Sequence, residues 1–310
     1  MATLPGNREK SRGIGIRYFR RLIAPALICL ALAAGTEALA TENGGGAYPN
    51  GAEDFMSGAV PPPGNYFINY IDYYSANKFK NGPPDFKLSV AADTLRFIHI
   101  TDKQVLGGFW GFHVFLPFVY MDVNAVGMSD RRGSIGDIIV DPFILSWHGK
   151  NWHAVTAVDV YMPTGNYDRF HLANPGRNYW TFEPIIAGTF ICPLTGVEVS
   201  GKFMYDFNTK NNATDYLSGQ EFHFDYAIGK KIGDFNVGAA GYFYQQVTND
   251  EQFGTKVASD NGFKGRVFAV GPAVKYDYKN MSLSAKYLFE TAVENRPIGN
   301  NLWVKFVYAF

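Results

Sequence analysis

The stretch "VEVSGKFMYDFN", residues 197–208, separates its side chains into two sets that alternate along the chain. The odd-numbered residues are apolar, aromatic or glycine, and the even-numbered residues include all three charges, at Glu198, Lys202 and Asp206. Alternation with a period of two predicts a β-strand whose two faces meet different surroundings. A charge that faces the middle of a bilayer costs about 2–4 kcal/mol. If this strand crosses a membrane, its charged face must therefore point away from lipid.

The same alternation recurs along most of the chain, in twelve segments. Strands of soluble proteins average about 5–6 residues, whereas a tilted strand that crosses a bilayer needs about 9–11. Most of these segments have the length of membrane-crossing strands. They are 65–76, 86–100, 109–122, 136–147, 152–164, 179–191, 196–208, 221–231, 235–248, 265–278, 281–290 and 302–310.

The connections between these segments alternate in length. Those after the fourth, sixth, eighth and tenth segments are short, and the one at 101–108 is intermediate. Alternating short and long connections predict an all-β fold, a transmembrane antiparallel up-and-down β-barrel of about 12 strands, with short periplasmic turns and longer extracellular loops. A soluble periplasmic sandwich is the alternative fold. The predicted long loops are 124–136, 165–178, 209–220, 248–263 and 291–300.

The last segment, 302–310, ends on Phe310 and has one face that is wholly apolar or aromatic. Such a face on an open sheet edge would invite aggregation. Pairing with the first strand closes the barrel and removes that edge. A terminal phenylalanine on an alternating strand also resembles the signal by which barrels are recognised for assembly. We therefore expect outer-membrane lipid and the barrel-assembly machinery to be partners of this chain.

The first 40 residues have the features of a secretion signal. Basic residues precede an apolar run, and Ala38-Leu39-Ala40 fits a small-x-small cleavage site, so the mature chain is expected to begin at Thr41. Residues 41–64 are rich in Gly, Pro and Ala. They are expected to form an N-terminal periplasmic segment, and the sequence leaves open whether it plugs the barrel mouth or is a disordered leader. Residues 65–310 form the predicted barrel domain.

Charge and cysteine content exclude some functions. The chain carries 28 basic and 28 acidic residues, and cleavage would remove six basic and two acidic ones. The remaining 22 basic and 26 acidic residues give a net charge of −4, which argues against nucleic acid as a partner. Cleavage would also remove Cys29, and Cys192 alone cannot form an intramolecular disulfide.

Five stretches of the sequence carry a family resemblance. The chain resembles the family of outer-membrane proteins linked to the meta-cleavage pathway of phenol degradation, over roughly residues 44–310. The resemblance implies a transporter-like barrel beside aromatic catabolism, and it assigns no catalytic or ligand residue. The stretches are "GGGAYPNGAEDFMSGAVPPPGNYFINY" (44–70), "GDIIVDPFILSWH" (136–148), "YMPTGNYDRFHLANPGRNYWTFEPIIAGTF" (161–190), "GVEVSGKFMYDFNTKNNATDYLSGQEFHFDYAIGKKI" (196–232) and "AKYLFETAVENRPIGNNLWVKFVYAF" (285–310).

The sequence predicts no enzyme, no catalytic residue, no metal site and no cofactor. It has no Gly-x-Ser-x-Gly, His-Glu-x-x-His or phosphate-binding glycine loop. His148 and His153 flank a short turn and are interpreted as polar turn residues rather than metal ligands. An outer-membrane phospholipase is also a twelve-stranded barrel, but it would need a Ser–His pair near the outer rim. Lipid hydrolysis remains an alternative function.

The charged residues of the inward faces form two groups. Five acidic residues, Asp137, Asp141, Asp159, Glu183 and Glu198, lie on the fourth to seventh strands, and lysines lie on the seventh and later strands. One hypothesis is that acidic and basic walls face each other and set a transverse field that orients polar solutes. The alternative is a salt-bridged filling of a narrow barrel. The predicted lumen-lining residues are Asp137, Asp141, Asp159, Glu183, Glu198, Lys202, Asp206, Glu221, His223, Asp225, Lys275, Lys286, Glu290 and Lys305.

The inward faces of the first six strands also carry apolar and aromatic residues, as in "FWGFHVFLPFVYMDV", 109–123. Such an interior suits small amphipathic or aromatic solutes better than sugars, unless bulges at Ala91-Ala92 or Pro117 reverse the faces. We therefore expect a channel or transporter in the outer membrane of a Gram-negative bacterium, for passive uptake of small hydrophobic or aromatic compounds. A closed structural or adhesive barrel is the main alternative.

Overall fold

The computed structural model describes residues 41–257 and 263–310, so the predicted signal segment lies outside the described residues. Within them, a 3-10 helix spans Glu42–Gly44, and the other regular elements are β-strands. No helix among them is long and apolar enough to cross a membrane. The strands are β1 (Gly64–Phe79), β2 (Lys87–Val105), β3 (Gly108–Ala125), β4 (Met128–Ile135), β5 (Ile139–His148), β6 (Trp152–Tyr161), β7 (Thr181–Ile191), β8 (Val197–Asn208), β9 (Tyr216–Leu217), β10 (Glu221–Ile232), β11 (Phe235–Gln246), β12 (Glu251–Gln252), β13 (Thr255–Lys256), β14 (Arg266–Tyr278), β15 (Met281–Glu294) and β16 (Pro297–Ala309).

The large sheet closes into an antiparallel barrel. Each long strand pairs with the next one along the chain, and β16 pairs with β1 from Tyr66↔Ala309 to Phe79↔Pro297. The strands β4 and β5 pair with opposite halves of β3 and together occupy one position in the barrel wall. The wall therefore has twelve positions, and the predicted fold is confirmed. Closure gives each long strand two neighbours, as a bilayer requires, whereas β4, in the outer part of the wall, pairs with β3 alone.

The break between β4 and β5 lies opposite Pro117 on β3. The β3–β4 pairing ends at Phe118↔Ile135, and the β3–β5 pairing ends at Phe115↔Ile139. Proline has no N–H to donate to a sheet ladder, and here its carbonyl accepts a hydrogen bond from Gly136 N at 2.9 Å. The chain leaves the wall at this point and returns to it as β5.

The alternative of a bulge at Ala91-Ala92, which would have reversed the faces of β2, does not hold. The registers of β2 with β1 and with β3 run without a shift from Leu88 to Ile100. Unbroken pairing keeps alternate side chains on the same face. The apolar residues at even positions of β2 and odd positions of β3 therefore point into the barrel.

Two of the expected long loops are wrong as well. Residues 124–136 and 291–300 belong mostly to strands, which are joined by two-residue turns at 126–127 and 295–296. Val126 and Gly127 both have positive φ, the geometry of a type I′ turn. The Asp85 carboxylate accepts hydrogen bonds from both of their N–H groups, at 3.0 and 2.6 Å. The polar residues of 124–136 and 291–300 thus lie in hairpins that extend beyond the membrane, rather than in loops.

The outer surface of the barrel is apolar. Phe203 and Phe207 on β8 are 48% and 44% exposed, and Glu198 and Asp206 on the opposite face of the same strand are at most 4% exposed. The same alternation holds on β10 and β15. A closed barrel with charges inside and aromatic residues outside matches the requirements of a lipid bilayer.

Candidate channel lumen and its N-terminal plug

Residues 41–63, called the plug below, run through the barrel lumen. At the end with the longer loops, Glu42 Oε1 accepts a hydrogen bond from Thr214 Oγ1 at 2.7 Å. At the periplasmic end, Gly58 N donates to Thr189 Oγ1 on β7 at 3.0 Å. The plug therefore reaches much deeper than the periplasmic mouth, which was one of the two possibilities that the sequence left open. The plug blocks a straight path for solutes through the barrel.

Glycines let the plug approach the wall closely. A Cβ added to Gly58 would lie 2.4 Å from the carbonyl carbon of Gly188 on β7, so a larger residue cannot fit without displacing backbone. Gly51 has a φ of +87° and packs against Tyr242 and Leu288. The glycine-rich composition that left this segment without a predicted element is the property that lets it fill a narrow lumen.

The basic residues of the wall bind the acidic residues of the plug. Lys305 Nζ is 3.1 Å from Glu53 Oε2 and 2.8 Å from Asp54 Oδ1. Lys286 Nζ is 3.1 Å from Asp54 Oδ2, and it donates to the carbonyl oxygens of Ala52 and Glu53 at 3.1 and 2.8 Å. Since both lysines are buried, their charges require these partners.

A third cation completes the Glu53 site. Arg96 Nη1 on β2 is 3.3 Å from Glu53 Oε1, and Tyr70 donates to the same oxygen at 2.9 Å. Glu53 therefore joins strands β1, β2 and β16. A single plug carboxylate thus connects three neighbouring strands of the twelve-position wall.

The acidic wall binds the backbone of the plug. Asp225 on β10 accepts hydrogen bonds from Gly51 N at 2.9 Å, Glu53 N at 2.9 Å and Tyr48 Oη at 2.6 Å. Glu198 on β8 accepts one from Met56 N at 2.6 Å. A wall carboxylate satisfies plug N–H groups that have no strand partner. Charge-assisted hydrogen bonds of this kind are stronger than neutral ones.

The outer end of the plug is tied to the loops. Glu42 Oε2 accepts a hydrogen bond from Asn211 Nδ2 at 2.8 Å, and Tyr167 Oη lies 3.4 Å from Glu42 Oε1. Burial raises the pKa of Glu42 above its usual range, and these hydrogen bonds oppose that rise. The loops that follow β6 and β8 thus converge on the start of the plug.

The fourteen lumen-lining residues predicted from the sequence fall into groups according to what they contact. Asp137 and Asp141 accept backbone hydrogen bonds within the wall and its loop, from Gly165 and Arg177 and from Phe143 and Val158. Glu290 accepts hydrogen bonds from Tyr74, Tyr242 and Gly299 near the outer end. Lys275 is paired with Asp277 at 2.8 Å beside a periplasmic turn. The remaining residues lie around the plug or in the buried wall: Asp159, Glu183, Glu198, Lys202, Asp206, Glu221, His223, Asp225, Lys286 and Lys305.

The plug supplies the partners of both charged walls, so the two walls do not face each other across an open lumen. The lysines at 286 and 305 do not face acidic wall residues across open space, because Glu53 and Asp54 lie against them. Glu198 and Asp225 face plug N–H groups. The walls and the plug form one ion-paired filling.

A cavity of about 310 Å³ remains beside the plug. It extends from Phe86 and Val123 near the outer end to Tyr70 and Phe115 deeper in the barrel. Its polar groups include Glu53, Asp159 and Arg177. Eight charged side chains line the cavity in all, so its apolar wall faces a polar one, and such a mixed lining suits a small amphipathic organic molecule. The apolar wall is formed by Leu88, Val90, Ala92, Phe115, Pro117, Val119, Met121 and Val123.

Several residues of this lumen were missed from the sequence. Arg96 and His113 lie on inward faces of predicted strands, and alternation alone could have identified them. Tyr48, Glu53 and Asp54 could not be assigned, because a segment without periodicity has no predicted face.

The sequence matches the profile of a protein family described as "Putative MetA-pathway of phenol degradation" over residues 63–306. A search of curated proteins gives no match. Among solved structures, an outer-membrane channel from Pseudomonas putida F1 is similar with a TM-score of 0.71 and 17% identity, over 81% of this chain and 97% of the other.

Two autotransporter barrels are more distant. The β-domain of BrkA from Bordetella has a TM-score of 0.48 and 14% identity, over 81% of this chain and 100% of the other. The translocator domain of NalP from Neisseria meningitidis has a TM-score of 0.47 and 11% identity, over 82% and 91%. The closed fold, its apolar surface and the family match locate the chain in the outer membrane of a Gram-negative bacterium, as the sequence predicts.

Proposed function

Because the chain belongs to this phenol-degradation family, we propose that it is an outer-membrane channel for passive uptake of small hydrophobic or aromatic compounds. The cavity of about 310 Å³ is the observation that carries the proposal. Apolar side chains of β2 and β3 line one side of this cavity, whereas a general diffusion pore is lined by charged groups and filled with water. The similar Pseudomonas putida protein is described as an outer membrane channel, which supports the same class of function.

The plug supplies the selectivity in this proposal. Ion pairs and backbone hydrogen bonds fix the plug to β15, β16 and β10 beside the apolar wall, so a hydrated sugar meets a barrier. A small aromatic molecule needs only the space along the apolar wall and contacts with residues such as Tyr70 and Trp303. Transport then follows the concentration gradient of the solute.

A closed structural or adhesive barrel is the second candidate, and the plug favours it. Buried ion pairs at Glu53 and Asp54 hold the lumen shut, and breaking such pairs is costly. Lipid hydrolysis is supported less. Among the described residues, the ring nitrogens of the histidines lie close to Asp, Asn, Arg, Glu or another His rather than to a serine.

Solute-induced swelling of liposomes that contain the refolded mature chain tests the proposal. A small sugar is compared with a small neutral aromatic alcohol, and leakage from protein-free liposomes is subtracted. Protein-dependent permeation of the aromatic alcohol alone is expected. Equal permeation of both would indicate a general pore, and permeation of neither would indicate a closed barrel. A chain without residues 41–63 serves as the open control, which should admit both solutes.

A further inference from the structure

Three buried side chains on neighbouring strands converge in the lumen wall: Glu183 on β7, Asp206 on β8 and His223 on β10. The Nε2 atom of His223 is 3.3 Å from Asp206 Oδ2 and 3.6 Å from Glu183 Oε2. One ligand atom from each residue lies within 4.8 Å of the other two. The side chains are at most 1% exposed.

Most polar atoms of this cluster lack hydrogen-bond partners; the exception is Glu183 Oε2, which accepts a hydrogen bond from Tyr161 Oη at 3.1 Å. Neither ring nitrogen of His223 has a hydrogen-bond partner among the described residues, and the same holds for both Asp206 oxygens and for Glu183 Oε1. The short His223–Asp206 distance does not have the alignment of a hydrogen bond. Unsatisfied buried polar groups each cost about 1–3 kcal/mol, and charged groups cost more. These unsatisfied atoms indicate that the three side chains bind a further group, because they do not satisfy one another.

The surrounding charge is negative. Asp159 is the register partner of Glu183, and Glu221 is the register partner of Asp206, so carboxylates lie side by side on four strands. Like charges directly opposite each other destabilise a sheet. Lys202 Nζ is 4.0 Å from Glu183 Oε1, and it also lies over the ring of Tyr48. One lysine leaves an excess of negative charge that favours a further cation.

A second cluster in the same wall gives a useful contrast. His113, Asp141 and Asp159 are as close together, but their atoms have partners. His113 Nε2 is 2.7 Å from Asp159 Oδ1, and Nδ1 is 2.9 Å from Arg96 Nη2. Asp141 accepts two backbone hydrogen bonds. This second cluster is a completed hydrogen-bond network, and the Glu183 cluster is not.

We propose that Glu183, Asp206 and His223 bind a divalent transition-metal ion, and that Zn²⁺ matches the site best. Zinc binds imidazole nitrogen and carboxylate oxygen at about 2.0–2.2 Å, which places ligands of a tetrahedron about 3.3–3.6 Å apart. The two distances from His223 Nε2 lie in that range. Calcium prefers six to eight oxygen ligands, and an imidazole is unsuited to it.

The bound ion would join three strands of the wall. Its positive charge would offset the negative charge of the neighbouring carboxylates on β6, β7, β8 and β10. It would lie close to the plug, because the rings of Tyr48 and His223 have centroids 5.0 Å apart. Three protein ligands leave a fourth position for water or for another small ligand. The inference is independent of which solute the barrel transports.

Metal titration of the refolded mature chain tests the site. His148 and His153 at the periplasmic rim have Nδ1 atoms 2.9 Å apart and could hold an ion themselves, so every variant also carries His153→Ala. After treatment with a chelator, Co²⁺ is added and followed by visible absorption, and Zn²⁺ is then titrated by calorimetry. We expect one ion per chain, with the intense absorption of tetrahedral cobalt.

Two ligand variants and one control complete the test. His223→Gln and Asp206→Asn should each weaken binding by about tenfold or more, the scale that even outer-shell changes reach. His113→Gln, in the satisfied cluster, should keep the stoichiometry and affinity. Unchanged binding in both ligand variants would overturn the proposal. If these variants do not fold, the thermal unfolding of the chain that carries only His153→Ala, with and without Zn²⁺, decides, and an unchanged midpoint rejects the site.

Discussion

Lys286 on β15 and Asp54 of the plug form a buried ion pair, with Nζ and Oδ2 3.1 Å apart and each side chain only 2% exposed. The two residues are 232 positions apart in the sequence. Asp54 also accepts a hydrogen bond from Ser284 at 3.0 Å and pairs with Lys305. The pair fixes the middle of the plug to the part of the wall where the barrel closes.

Asp54→Asn is expected to loosen the plug. The substitution removes the carboxylate that pairs with Lys286 and one of the two that pair with Lys305, and removing one partner of a buried ion pair costs about 3–5 kcal/mol. Displacing the plug relieves that cost, so single-channel conductance in planar bilayers should rise. Asp102→Asn, at an exposed site near a turn, is the control and should leave conductance unchanged.

A double variant separates the ion pair from other effects of this change. Asp54→Asn with Lys286→Met removes both charges, so its conductance should lie closer to that of the parent chain than the single variant does. Conductance of Asp54→Asn equal to that of the parent chain would show that the pair does not hold the plug.

Val119→Trp is expected to block the apolar side of the lumen. Val119 lines the cavity beside the plug, and an indole there would occupy much of the about 310 Å³ that a solute needs. Permeation of a small aromatic alcohol in the swelling assay should fall severalfold. The matched control is Val237→Trp, because Val237 is 48% exposed on the lipid-facing surface. Equal permeation through both variants would place the transport path elsewhere.

Lys202→Glu is expected to shift ion selectivity toward cations. Lys202 is 4.0 Å from Glu183 and is the lysine nearest to the carboxylates of the β6–β10 wall. Replacing it adds a negative charge where several already lie, and rings of acidic residues favour cations in channels. The reversal potential in a KCl gradient, measured with the plug deleted in parent and variant, reports the change.

Lys231→Glu provides the comparison, since Lys231 is 63% exposed at a turn and far from these carboxylates. A shift of similar size in Lys231→Glu would mean that net charge, rather than the position of Lys202, sets the selectivity.

Phe310→Ala is expected to impair assembly in cells without impairing the folded barrel. The Phe310 side chain is 77% exposed, and its N–H donates to Asn65 O at 3.1 Å, a bond that any residue except proline can make. Refolding in detergent, followed by heat-dependent gel migration, should match that of the parent chain. The amount of barrel recovered from outer membranes should fall. Leu194→Ala, at a turn residue that is 93% exposed, is the control and should change neither quantity. Equal recovery of the parent, Phe310→Ala and Leu194→Ala chains would contradict a role of Phe310 in recognition by the assembly machinery.

Local pattern identified most of the barrel. In "VEVSGKFMYDFN", alternation gave the strand, its faces and its lipid-exposed aromatics, because side chains of a strand point to opposite sides with a fixed period. The same logic put Glu183, Asp206 and His223 on inward faces. The loops at 124–136 and 291–300 were misjudged because polar residues that extend a hairpin into water resemble loop residues in composition.

The sequence by itself determined a twelve-stranded barrel with charged residues inside, because the period-two alternation is a local property of each strand. The tertiary structure decided what those charges do. Register across strands brought Glu183, Asp206 and His223 together, and long-range contacts brought Asp54 to Lys286. Residues 41–63 have no periodicity to assign a face, so only the folded barrel, whose buried lysines require counter-charges, fixes the plug in the lumen.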